Sequence, residues 1–404
     1  MSRQAAAVLP AEETALPAGH LVARLPWIGG AVGVVGLGAA VGLAGWGTKP
    51  FLFAYLLAFL FFLTLALGGL FFVLLHFLTR AGWSVVVRRL AENVMGTLPL
   101  FVLLFLPIAL GFHEIYEWGH AEVLAHDPLL AGKEPFLNAT GFLSRAAIYL
   151  ALWCGLAWWL RSRSVAQDST GDIAITKRLQ TISAPGMVLF AVTLSLASFD
   201  WVMSLDPHWY STIFGVYIFS GCVLGILSLL VLIVEVLHRG GAIEQTVTTE
   251  HRHDLGKLLF AFVVFWGYIA FSQFLLIWYG NIPEETVWFA HRWDDPGWRT
   301  VSIALVLGHF VLPFFFLLPR ATKRNRLLLS LGALWMLAMH YLDLYWLVMP
   351  AYHGEEAVSG LVLAAAFVGV GGLFLGLLGS LMRKPALVPV RDPRLPESLS
   401  FENM

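Results

Sequence analysis

The chain has 404 residues, of which 58% are hydrophobic and 13% charged, and a formal net charge of −1. An ordinary soluble domain carries about a quarter charged residues, so this composition excludes one and indicates an all-α polytopic membrane protein. A charge near zero, with no clustered basic surface, excludes a nucleic-acid partner.

Residues 1–25 carry Glu12 and Glu13 ahead of Arg24, which is not the basic-then-apolar order of a cleaved leader. They are expected to form a mobile, soluble tail. Spanning helices need about 20 mostly apolar residues, and ten candidates follow within residues 26–382. Their expected limits are Trp27–Trp46, Phe51–Leu78, Val85–Gly111, Leu143–Leu160, Ala184–Met203, Tyr210–Leu237, Leu255–Tyr279, Val301–Leu318, Leu327–Met349 and Val358–Met382. An arrangement as two four-helix bundles, segments two to five and six to nine with one and ten flanking, is open to this chain, but hydropathy alone does not establish it. Those two outer segments are glycine-rich, from Gly29 to Gly42 and from Gly369 to Gly379, which suits close helix contact.

Of the 25 lysines and arginines, all but Lys49, Lys133, Arg145, Arg292 and Arg299 fall on the side of the N-terminus. Basic loops stay in the cytoplasm, so both termini, including a C-terminal tail over residues 383–404, are expected there. The larger outward loops, 112–142 and 281–298, are acidic and aromatic. Asp206, ahead of Pro207, reads as the N-cap of segment six.

Ionisable residues at membrane depth are expensive, and mark function unless they are paired. Near the inner end, Glu92 lies three and four residues from Arg89 and Arg88, a spacing that shares one helix face and reads as an internal ion pair. Toward the outer end are Asp200, His309, and His340 with Asp343 one turn later; His113 and Glu117 open the long outer loop. The outward residues are expected to converge on one polar cavity, and the two groups together are the candidate proton-transfer residues. Trp335 and Tyr345, beside His340 and Asp343, outline a candidate quinone pocket in which a base takes a hydroxyl proton between apolar walls. Cys154 and Cys222 are too few for an iron–sulfur or zinc site, and no segment offers two stacked histidines for haem. No redox cofactor or metal is expected in this chain, and no catalytic residue is assigned.

The stretches AGWSVVVRRLAENV, FHEIYEWGH, ASFDWVMSLDPHWYSTIFGVYIFSG and DLGKLLFAFVVFWGYIAFSQFLLIWYGNIPEET resemble the NrfD-like, polysulfide-reductase membrane-subunit type proteins of bacterial alternative complex III. The likeness runs from about Phe51 to Met349 and is to the second of the two such subunits, the ActF family. What it implies is a subunit of a quinol:cytochrome c or other electron-acceptor oxidoreductase in the bacterial inner membrane, not catalytic alone. Its implied partners are a sister NrfD-like subunit, a periplasmic iron–sulfur protein and multihaem cytochrome c subunits, among membrane lipids. Quinol would be the substrate of the complex, with haem c and iron–sulfur clusters held by the partners. Two readings compete with it: a structural membrane anchor for periplasmic redox subunits, and a secondary transporter, whose matched mid-depth helix breaks are not evident here.

Overall fold

The segment Lys49–Leu78 is apolar on every face, and a helix without a polar side has to be covered all round. In the computed structural model, which describes residues 9–17, 19–354 and 356–403, it is. Every residue from Phe51 to Leu74 is buried, and this helix forms the axis about which the others pack. Among the described residues ten helices are long and apolar enough to cross a membrane, and there is no strand. In chain order they are α1 (Leu21–Ala44), α2 (Lys49–Leu78), α3 (Val85–Leu110), α4 (Ala139–Thr170), α5 (Ile173–Leu205), α6 (Phe214–Arg239), α7 (Thr249–Gly280), α8 (Pro296–Leu317), α9 (Arg326–Ala351) and α10 (Gly360–Arg383). Ten crossings put both termini at one end, the basic end; the other is called the acidic end below.

Helices α2 to α5 pack as one four-helix group and α6 to α9 as another, joined where α6 meets α2 and α5 and where α9 meets α2. The outer pair, α1 and α10, lies along α2 and α3. The glycines explain how close that pair sits. A Cβ on Gly372 would lie 2.5 Å from the backbone nitrogen of Gly33, and one on Gly36 would lie 2.6 Å from that of Gly369.

Two helices are interrupted. Along α3, helical turns end at Met95 and at Leu104, ahead of Pro99 and Pro107. A proline supplies no amide and crowds the preceding turn. The Tyr55 hydroxyl donates to the Leu104 carbonyl at 2.7 Å and so satisfies one group at the second break. Along α8, residues Val306–Val311 form a π-helical turn just before Pro313, a feature frequent at functional sites.

Several expectations need correction. Residues 1–8 and 18 lie outside the described residues, but the rest of the N-terminal stretch is docked rather than mobile. Glu13 accepts from the Gln245 amide at 3.0 Å and the Thr246 hydroxyl at 3.2 Å, and the Leu387 amide donates to the Thr14 carbonyl at 2.7 Å. Helices α4 and α5 run on to Thr170 and start from Ile173, well past their apolar stretches, because water beyond the bilayer tolerates polar helical turns. The outward loops are largely helical, over Phe112–Ile115, Ala121–His126, Pro128–Lys133 and Pro283–Asp294. Asp206 is not the N-cap of the next helix; it closes the short 3-10 turn Met203–Leu205. The following helix starts at Phe214, with Ile213 at its N-cap position.

Candidate functional site

His340 and Asp343 project from one face of α9 into the seam with α2, α6 and α7, about 16 and 12 Å from the acidic end of that helix at 1.5 Å of rise per residue. Asp343 is 2% exposed. Its carboxylate accepts a short hydrogen bond from the Tyr217 hydroxyl and a longer one, 3.3 Å, from the Trp266 indole. Among the described residues no cation pairs with it. His340 Nε2 lies 2.8 Å from the Thr64 hydroxyl oxygen, whose own proton is donated to the Phe61 carbonyl at 2.7 Å. The threonine therefore accepts from Nε2–H, which leaves Nδ1 as the unprotonated, accepting nitrogen. That nitrogen has no hydrogen-bond partner among the described residues. It faces α6 at Gly221, one turn from Tyr217, where a Cβ would come within 2.8 Å of the ring. His309 sits in the π-helical turn of α8, its ring 3.8 Å from that of Trp266 and nearly parallel to it. Neither of its nitrogens has a partner among the described residues.

Above this group, at the acidic end, lies a vestibule of about 200 Å³. Its floor includes Phe214 and Leu347, one turn from Tyr217 on α6 and from Asp343 on α9. Its walls carry Glu117, Asp206, His208 and His291, together with Arg292. Trp209 and Trp288 stack there at 4.3 Å. Arg292 is 3% exposed, and burial pulls its guanidinium down to about 9.

Asp200 is elsewhere. Arg145 from α4 grips its carboxylate through Nε at 2.9 Å and Nη2 at 2.6 Å, and the Tyr149 hydroxyl donates at 2.9 Å. The outward residues thus do not meet in one cavity. Asp200 lies in the first bundle with a cation, whereas His309, His340 and Asp343 gather in the second without one. Glu117 joins the vestibule. His113 is exposed beside the loop, its carbonyl accepting from His120 at 2.8 Å. The four proposed quinone-pocket residues also separate, because they point to different sides of α9. Trp335 is 44% exposed and donates to the Gly308 carbonyl, while Tyr345 packs on Trp298 and borders an apolar groove between α9 and α10.

At the basic end the predicted ion pair is present and larger than its spacing showed. Glu92 takes Arg88 at 3.2 Å and Arg89 at 2.7 Å, all three buried. Arg88 also reaches Asp392 of the C-terminal segment at 2.6 Å, and Arg89 reaches Asp168 of α4 at 2.7 Å. Ser164 donates to Glu92 at 2.8 Å. This clamp joins α3, α4 and the chain after α10.

Sequence reasoning overlooked Trp266, Tyr149 and Arg292. For Arg145 the signal was present: a cation inside an apolar segment, one turn before a tyrosine. Comparison of the chain with protein-family models and with curated proteins finds no match. Fold and site together define an all-α, multi-pass membrane protein with an unneutralised carboxylate enclosed at membrane depth.

Proposed function

We propose that this chain is an integral membrane subunit of a quinol:electron-acceptor oxidoreductase of the alternative complex III type, in the position of its second NrfD-like subunit. It supports quinol oxidation by moving protons between Asp343 and the acidic end, while partners in the bacterial inner membrane and periplasm hold the haem c and iron–sulfur groups. The motif resemblance supports the class. The observation that carries the proton role is that, among the described residues, Asp343 is met only by neutral donors. Protonating it strands no cation, so both protonation states are accessible to one fold. Tyr217 is hydrogen-bonded to it, and His340, one turn earlier on α9, offers an Nδ1 without a partner among the described residues as the next group able to take a proton. Protonating Asp200, by contrast, would leave the half-buried Arg145 without a carboxylate. Protonating Glu92 would remove the shared acid of a buried network in which Arg88 and Arg89 keep only Asp392 and Asp168.

The test is coupled proton movement in vesicles holding the intact complex. Asp343→Asn should abolish it while c-type haem proteins still co-purify. Asp200→Asn should lower thermal stability and leave the coupling ratio unchanged. If Asp343→Asn couples as well as wild type, the closed clamp at Glu92 and the Asp200–Arg145 pair favour the anchor reading instead.

A further inference from the structure

The vestibule has an unusual charge arrangement. Arg292 lies over Trp288, its Cζ 3.5 Å from the ring centroid, with Trp346 at 5.1 Å on another side. Its Nε donates to the Trp346 carbonyl at 3.3 Å and its Nη1 to the Trp288 carbonyl at 2.8 Å. Among the described residues Nη2 has no partner and no carboxylate pairs with the guanidinium. A guanidinium nine-tenths buried without an acid is expensive. Facing the same space are Asp206 and Glu117, whose carboxylates likewise make no hydrogen bond or ion pair among the described residues. No direct ion pair among the described residues joins the cation to either acid, although the charge of Asp206 is felt at Arg292 and at Lys133.

We infer that the vestibule is a binding site for a zwitterionic phosphodiester head, with phosphate oxygens on Arg292 and an ammonium on Asp206 and Glu117. A simple anion would satisfy Arg292 and leave the acids worse off; a simple cation would do the reverse. A single negative charge joined by a short linker to a hydrogen-bonding ammonium answers both. The cavity is smaller than the roughly 300–1,000 Å³ of pockets that enclose drug-sized molecules, which suits a head group whose tails stay outside. The wall is built from Trp209 and Trp288, with Trp293 and Trp298 nearby along the chain, and tryptophans mark the level at which lipid head groups lie. The ligand class is therefore a phosphatidylethanolamine-type lipid of the leaflet at the acidic end. The site lies beyond the Asp343 group and does not depend on the proton role.

The experiment follows the unfolding midpoint of the delipidated full-length protein in detergent during titration with short-chain phosphatidylethanolamine, phosphatidylglycerol, phosphatidylcholine or inorganic phosphate. Phosphatidylethanolamine should raise the midpoint at a half-saturating concentration about tenfold below the others, as one charge-assisted contact provides. Phosphatidylcholine should fall behind because its quaternary ammonium donates no hydrogen bond. Asp206→Asn, which changes a partly exposed carboxylate by a single atom, should erase the preference for phosphatidylethanolamine over phosphatidylglycerol. Arg292→Gln should remove the response to both, and Asp343→Asn should retain the preference. Equal responses to all four additives, protection by inorganic phosphate alone, or an unchanged preference in Asp206→Asn would each overturn the inference.

Discussion

Asp200 and Asp343 are both buried carboxylates in the half of the molecule toward the acidic end, yet their surroundings differ. Asp200 is held by a guanidinium and a phenol, an arrangement that fixes a charge. Asp343 is held by a phenol and an indole, which tolerates its presence or absence. Tyr217→Phe removes the shorter of those two bonds with little change of volume. It should slow coupled proton movement by about 10²-fold, the low end of what a positioned acid or base contributes, and leave the unfolding midpoint within a few degrees of wild type. A spectroscopic titration of the carboxyl stretch in wild type and Asp343→Asn vesicles would check which group carries the proton. The spacing of Arg88, Arg89 and Glu92 made their pairing legible because both partners sit on one helix. The Arg145–Asp200 pair crosses two helices, and nothing in a single sequence ties such positions together. His309 shows the opposite difficulty, since a lone histidine reads as a satisfied core ring and only the structure reveals that neither of its nitrogens has a partner among the described residues.

Helix positions were legible because ten apolar stretches each match or exceed the bilayer length. Helix ends were not, because α4 and α5 continue where hydropathy stops. The clamp on α3 is where the elements at the basic end are fastened together. Arg89→Ala leaves the partly buried Asp168 without its cation and the buried Glu92 with Arg88 alone, and should cost about 3–5 kcal/mol of stability, read as a lower unfolding midpoint. The double change Arg89→Ala with Glu92→Gln should recover part of that loss, because the stranded charge is gone as well. For α1 and α10 the glycines set the separation. Gly372→Val drives carbon into the backbone of Gly33 and should destabilise by about 1–3 kcal/mol, whereas Gly38→Ala, whose added methyl would meet nothing within 4 Å, should be neutral. Thermal unfolding of both variants distinguishes a packing face from mere glycine enrichment. The latch between His208 and Asp127 at 2.5 Å ties the long outer loop to the vestibule rim. That hydrogen bond holds the Asp127 carboxyl below its ordinary value, so the latch contributes above the usual carboxylate range near about 4 and is lost as acid protonates Asp127. Protection of the amides in residues 121–133, taken relative to their intrinsic exchange rates, should therefore fall as acid protonates Asp127.

At the scale of the whole molecule, hydropathy counts helices but does not say which faces meet. The grouping into two bundles and a flanking pair rests on side-chain fit that a sequence expresses only in places, as at the glycines. The enclosure of α2 has a consequence for biosynthesis. This helix leaves the ribosome second, while α6, α9 and α10, which cover it in the finished molecule, are made much later, α10 last of all. A nascent chain stopped after α5 must shelter the flank of α2 with lipid or an insertion factor, and those occupants have to be expelled when the late helices arrive. Chains cut short before Gly360 should consequently be recognised by membrane quality-control proteases, even though every group proposed to handle protons is already in place.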